Sequence, residues 1–191
     1  GVISIGSLST EGLTALPTQW AFAEEAAKKH GKTVSRKNWR VLLSWHIAET
    51  REKAREEAGK GLMRWHNEYI VGTLQRPGAS AFTSIDDALE KTSSGPGSAA
   101  TIGTPDDLVK TIKNVIDMSG GLGTIVGFAH DWANIENTFR SWEMVTPDLS
   151  VRSSCATRNV GLAISRARGA SRFFQGGLRS SRFISRSATS R

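Results

Sequence analysis

The sequence is short of cysteine, tyrosine and proline: among 191 residues there is one Cys (Cys155), one Tyr and five Pro. A lone thiol excludes a disulfide framework and makes a reducing, cytoplasmic setting the default expectation. No run of about 18 apolar residues occurs, so no membrane span is expected, and no secretory leader is evident. There is no G-x-G-x-x-G after a strand and no G-x-x-x-x-G-K-[ST]. The glycine-rich stretches "SGPGSA" (residues 94–99) and "SGGLG" (residues 119–123) do not open a helix after a strand, which argues against a phosphate cradle in either. His30, His46, His66 and His130 form no H-x-x-x-H or H-E-x-x-H pair, so no metal site is expected.

Charge is also unevenly missing. Residues 152–191 contain nine Arg but no Lys, Asp or Glu, and carry +9. The other 151 residues carry −2, so the net +7 belongs to the tail. An Arg-rich tail with Phe173, Phe174 and Phe183 for stacking raises nucleic-acid or acidic-membrane binding as an alternative function. The bland alternative is a disordered tail. A run rich in Arg, Ser, Gly and Ala is also what a shifted reading frame in a GC-rich gene produces.

What is present alternates between two periods. "GVISIGS" (residues 1–7) is a short β-branched run that reads as a buried strand. "LSTEGLTALP" reads as a polar loop, and residues 17–32 as a helix with Pro17 near its start and Gly31 at its end. "NWRVLLSWHIAE" (residues 38–49) is almost continuously apolar, as a strand covered on both faces should be. Thr50 caps a long helix over residues 51–71, with Ala54, Ala58, Leu62, Trp65 and Tyr69 near one face. Residues 72–102 read as a loop holding one or two helical turns at 84–91. Thr104, Pro105, Asp106 and Asp107 start a helix that Gly120 and Gly121 stop. A third buried strand spans residues 123–129, and a last helix spans 136–145, ending before Pro147.

Strand–helix alternation with apolar strands predicts an α/β fold with a parallel sheet and helices outside. A piece of a (β/α)8 barrel and a doubly wound sheet both fit. Either one gathers function at the carboxyl ends of the strands, here residues 6–7, 45–49 and 130–132. Histidines at such ends, His46 and His130, serve either as pocket residues or as structural polar partners. Trp45, Trp65 and Trp132 lie near the same rim, where aromatic rings suit a planar cofactor or ordinary packing.

"IGTPDDLVKTIKNVID", "GTIVGFAHDW" and "ANIENTFRSWEMVTPDL" together resemble the C-terminal end of the bacterial luciferase-like, flavin-dependent monooxygenases. "VLLSWHIAETREKAREEA" is similar to that family's seventh strand and following helix, and "GLMRWHNEY" to the aromatic end of that helix. The resemblance covers residues 1–148, nearest the limonene- and alkanal-monooxygenase-like branches, and stops at the Arg/Ser tail. It implies the last three or so βα units of a (β/α)8 barrel in residues 1–149, followed by a tail at 150–191. The family's first five strands, with much of its flavin phosphate site and its proposed catalytic histidine, have no counterpart here. No catalytic residue is therefore assigned, and the chain alone is expected to be inactive.

The resemblance further implies reduced FMN from a separate flavin reductase, O2, a small organic substrate, and a homo- or heterodimer. A deazaflavin-dependent dehydrogenase of the same superfamily is the alternative. Positions matching flavin-facing segments are Ser4, Gly6, Leu42, Ser44 and Trp65, although Gly6 stands where luciferases proper have Trp. His130 and Asp131 border the substrate mouth.

Overall fold

The computed structural model describes residues 2–5, 10–93, 98, 100–156 and 161–165. Its framework is an all-parallel, five-stranded sheet. The elements run β1 (Val2–Ile5), α1 (Thr10–Thr14), α2 (Leu16–Lys29), β2 (Trp39–Ile47), α3 (Arg51–Trp65), a π-helix (His66–Thr73), α4 (Ile85–Ser93), β3 (Ala100–Gly103), α5 (Pro105–Ser119), β4 (Thr124–Phe128), α6 (Ile135–Ala156) and β5 (Gly161–Ser165). The strand order is β1-β2-β4-β5, with β3 also on β2. Ser44 is level with Phe128 of β4 and with Ala100 of β3. Those two strands therefore flank β2 on opposite sides, and β3 continues the edge that β1 begins.

The nine-residue β2 organises the packing. Trp39, Val41, Leu43, Trp45 and Ile47 point to one side and are buried with Leu13, Leu16 and Trp20 of α1 and α2, Leu108 and Val115 of α5, Ile125 of β4 and Val145 of α6. Trp20 and Trp39 meet with ring centroids 4.9 Å apart, and the Arg36 guanidinium lies over both. Arg36 also donates to the Ser119 and Gly121 carbonyls, so it satisfies the end of α5 from the start of β2. A smaller core joins Ala58 and Leu62 of α3, Ala100 of β3 and Trp132, with Trp65, Leu89 and Ile102 around it.

The helix ends follow the capping chemistry of the sequence. Thr104 accepts from the Asp107 backbone while Asp107 accepts from the Thr104 backbone, a reciprocal capping box ahead of Pro105. Gly120 closes α5 at φ 68°, in the left-handed region that suits glycine. Thr50 caps α3 through the Lys53 N–H.

Several expectations are corrected. The polar loop after β1 contains α1; the helical turns expected at 84–91 form α4, but the stretch read as loop after them ends in an added strand, β3. The long helix after Thr50 does not stay α-helical; it widens into the π-helix at His66. The last helix does not stop before Pro147 but continues to Ala156. A mid-helix proline forfeits a backbone donor. Here the turns before it are anchored on the sheet by Ser141, whose hydroxyl accepts from the buried Ile47 N–H at 2.7 Å, and by buried Val145. Within the segment expected to be a tail, residues 150–156 complete α6, and β5 pairs in parallel with β4 from Gly161 to Ser165. Phe173, Phe174, Phe183 and the Arg residues from 166 onward lie outside the described residues, as does the "SGPG" stretch at 94–97.

Candidate functional site

The second face of the sheet carries Arg40, Leu42, Ser44 and His46 of β2. Register places Thr124, Val126 and Phe128 of β4 level with the first three. This face is less covered: Leu42, Val126 and Phe128 are half-buried, whereas the opposite row of β2 is buried throughout. At its carboxyl end β4 runs into His130, Asp131 and Trp132.

Three of the sequence-predicted residues meet there. Ser44, 2% exposed, has its Oγ 2.8 Å from His130 Nε2. Depending on the tautomer, the serine hydroxyl donates to a bare Nε2 or an Nε2–H donates to the serine oxygen. The His130 ring stacks flat on Trp132, with centroids 4.2 Å apart and planes 2° apart. Trp65, at the junction of α3 and the π-helix, meets His130 edge-on at 4.9 Å and Trp132 at 5.9 Å. Phe128 closes the other side at 4.7 Å. Burial pushes the His130 pKa down to about 4, against a small opposing pull from Asp131. The imidazole is therefore neutral at pH 7, a hydrogen-bonding group held in an aromatic box.

The other predicted residues are placed differently. Leu42 shares the face of Ser44, two residues away. Ser4 of β1 is in register with Val41, one residue out of step with the Leu42 and Ser44 row. Gly6 lies outside the described residues. Asp131 is exposed and pairs with Arg64 at 3.6 Å. Both border a cleft of ≈280 Å³ with Trp65, Glu68 and Tyr69. Trp45 does not join the rim; it is buried on the opposite face against Trp142, with centroids 4.6 Å apart. A larger cleft of ≈530 Å³, lined in part by the Arg51–Asp107 ion pair, contains none of the predicted site residues.

His46 takes the structural role. Its Nε2 is 2.8 Å from Glu57 Oε2, and both side chains are buried. Glu57 also binds Arg140, which reaches Asn137 Oδ1 at 3.0 Å. Since Glu57 accepts, His46 donates its Nε2 proton. The cluster ties β2, α3 and α6 together below the rim. Its members are 11 and 83 residues apart, so local spacing held no sign of it. Among the described residues no group of three His, Cys, Asp or Glu side chains is placed to hold a metal ion.

No family model matches the chain. Over 131 residues it is 34% identical to 4-hydroxyprotoasukamycin monooxygenase of Streptomyces nodosus subsp. asukaensis, an alignment covering 68% of this chain and 34% of that protein. Over 152 residues it is 29% identical to limonene 1,2-monooxygenase of Rhodococcus erythropolis, covering 78% of this chain and 38% of that protein. Both relatives are monooxygenases, in keeping with the resemblance of the sequence to the luciferase-like family. The chain spans little more than a third of the length of these curated relatives. The fold of the chain also matches solved structures. One is the oxygenating constituent of 3,6-diketocamphane monooxygenase from Pseudomonas putida, a type II Baeyer–Villiger enzyme in complex with FMN (TM-score 0.57, 21% identity, 78% of this chain and 42% of that one). Another is a monooxygenase from Streptomyces bottropensis (TM-score 0.56, 18% identity, 80% and 41%). Among the described residues, no helix is long and apolar enough to cross a membrane.

Proposed function

We propose that this chain supplies the closing βα units of a (β/α)8 barrel in a cytoplasmic FMN-dependent monooxygenase. The observation that carries the reading is the meeting of Ser44, Trp65 and His130 at the carboxyl ends of two parallel strands, beside the half-buried row of Leu42, Val126 and Phe128. Active sites of parallel α/β folds collect at that end. The chemistry of these side chains fits an isoalloxazine ring: apolar and aromatic surfaces for a flat heterocycle, with one hydroxyl–imidazole pair for its polar edge. Reduced FMN, delivered by a flavin reductase, supplies the electrons that activate O2 for transfer of one oxygen atom to an organic substrate.

The chain's own part is binding and shielding. Leu42 and Trp65 cover the ring, and Ser44 and neutral His130 hold a hydrogen bond at its edge. Asp131, with Arg64, borders the mouth through which substrate enters. The aromatic box keeps water from the reacting centre, where it would divert the oxidant.

The test is a chimera in which residues 1–149 replace the matching segment of the limonene 1,2-monooxygenase relative. FMN binding is read by tryptophan fluorescence quenching, and oxygenation with an added flavin reductase. Trp65→Ala and Leu42→Asp are expected to weaken FMN binding at least about tenfold, the effect of losing a ring-facing contact. The 191-residue chain alone is expected to give no oxygenation. Unchanged FMN affinity in both variants, or turnover by the isolated chain, refutes the reading.

A further inference from the structure

We propose that Gly61 is a positioning residue of this site, the missing side chain that lets α3 seat the His130–Trp132 turn so that the imidazole meets Ser44. The proposal rests on the reading that Ser44, Trp65 and His130 border the flavin. Glycine is the poorest ordinary helix former, so a buried one in the interior of a 15-residue helix needs a physical reason. Two occur in α3, and their surroundings differ. A Cβ on Gly59 would meet the Cγ2 methyl of Ile85 at 2.5 Å, a side chain on α4 away from the His130–Trp132 turn. A Cβ on Gly61 would overlap the Trp132 carbonyl oxygen and lie 2.5 Å from both its Cα and its carbonyl carbon. Backbone cannot turn aside, so the whole turn would have to move.

That turn has little slack. His130 is two residues before the contact. Its ring is fixed by the 2.8 Å approach to Ser44, by the flat stack on Trp132 and by the edge of Trp65. Trp65 is one helical turn beyond Gly61, on the same face of α3. A single stripe of α3 therefore does two things. At Gly61 it admits the backbone of the turn, and at Trp65 it covers the rings that the turn presents. Pushing the turn outward by the extra bulk of one methyl group separates His130 from Ser44 and opens the ring to water. The charged group beside His130 is Asp131, which favours protonation once the ring is solvated.

The experiment compares Gly61→Ala and Gly59→Ala in the 191-residue chain without flavin, by 15N NMR of the histidine side chains across pH. In the unaltered chain, where burial lowers the His130 pKa to about 4, the midpoint is expected near that pH. Gly61→Ala is expected to raise that midpoint by at least about one pH unit, a tenfold change in proton affinity. Gly59→Ala is expected to leave it in place, even where it lowers stability. An unmoved His130 in Gly61→Ala, or equal shifts in both variants, overturns the proposal. A second measurement needs no variant: NOEs between the Gly61 and Trp132 Hα protons are expected in the unaltered chain, and their absence overturns the proposal even if Gly61→Ala does not fold. Failure of the flavin reading would appear separately, as a chimera that does not bind FMN while the NMR comparison stands.

Discussion

Acidification from pH 7 to pH 4 is expected to destabilise the protein through one ring. His130 is held between Trp132, Trp65 and Phe128, and burial lowers its pKa from the ordinary 6.5 to about 4. A group whose folded pKa lies below its unfolded value takes up protons more readily when the chain unfolds. Its contribution is therefore complete above about pH 6.5, shrinks as pH falls through the window, and is gone below about pH 4. At about 1.4 kcal/mol per pH unit, that window corresponds to roughly 3 kcal/mol, a large share of an ordinary domain's stability. Urea denaturation at pH 7, 6, 5 and 4 measures it, with His130→Gln as the reference because glutamine keeps a polar group that does not titrate. The unaltered chain should lose roughly 3 kcal/mol more than His130→Gln between pH 6.5 and 4. His46 is common to both proteins and cancels in the difference. The hydrogen bond from Arg51, opposed by partial burial and aided by those from Thr104, holds the Asp107 carboxyl well below the usual carboxylate range. Asp107 therefore begins to lose its contribution only at the acid end of the window, and it too is common to both proteins. Parallel pH profiles for the two proteins would refute the burial argument.

Three further perturbations follow from the packing. Gly127→Ala forces a methyl group into the outer ring carbons of Trp45 and Trp142 and should cost about 1–3 kcal/mol, with loss of near-UV circular dichroism from that pair. Glu57→Ala leaves the buried His46 N–H without its acceptor, while Arg140 keeps Asn137 and Glu49, and chemical denaturation should show a loss of about 1–3 kcal/mol. Thr104→Ala breaks the capping box at the start of α5 and should lower stability by about 1 kcal/mol in a thermal melt, without altering the His130 titration.

The parts readable from sequence were those that local chemistry decides. Thr104-Pro105-Asp106-Asp107 states a helix start, Gly120 a helix stop, and the unbroken apolar run from Trp39 to Ile47 a strand buried in a sheet. Ala100–Gly103 carried no such signal. Only four residues long after a Gly/Ser-rich stretch, with Thr101 and Ile102 its two β-branched residues, it is too short to read as a strand, and it forms one because β2 offers a free edge beyond the end of β1. The π-helix at His66 was also hidden. Asn67 exchanges hydrogen bonds with the backbone of Phe82, and the His66 ring stacks on Phe82 at 3.8 Å, so a segment 15 residues away helps hold that widened turn. In the candidate site, a strand end pointed to His130 and the helix pattern to Trp65, but the pairing of His130 with Ser44 spans 86 residues. No window of sequence contains both. Trp45 illustrates the reverse case: position along the strand placed it at the rim, while the pleat turned it to the other face.

The placement of β2 also sets an order of assembly. Its partners are β1 at Val2–Ile5, β3 at Ala100–Gly103 and β4 at Thr124–Phe128, so every strand pairing closes a long stretch of chain. Pairings of that kind form late and slowly, because loop closure must come before the contacts that reward it. During synthesis β2 leaves the ribosome with one short neighbour, and the flank that will receive β4 stays open until residue 128 has emerged. Through that interval Leu42 and Ser44 lie beside an unpaired strand edge. A pause in translation between β3 and β4 would prolong the time in which the central strand can pair with the wrong chain.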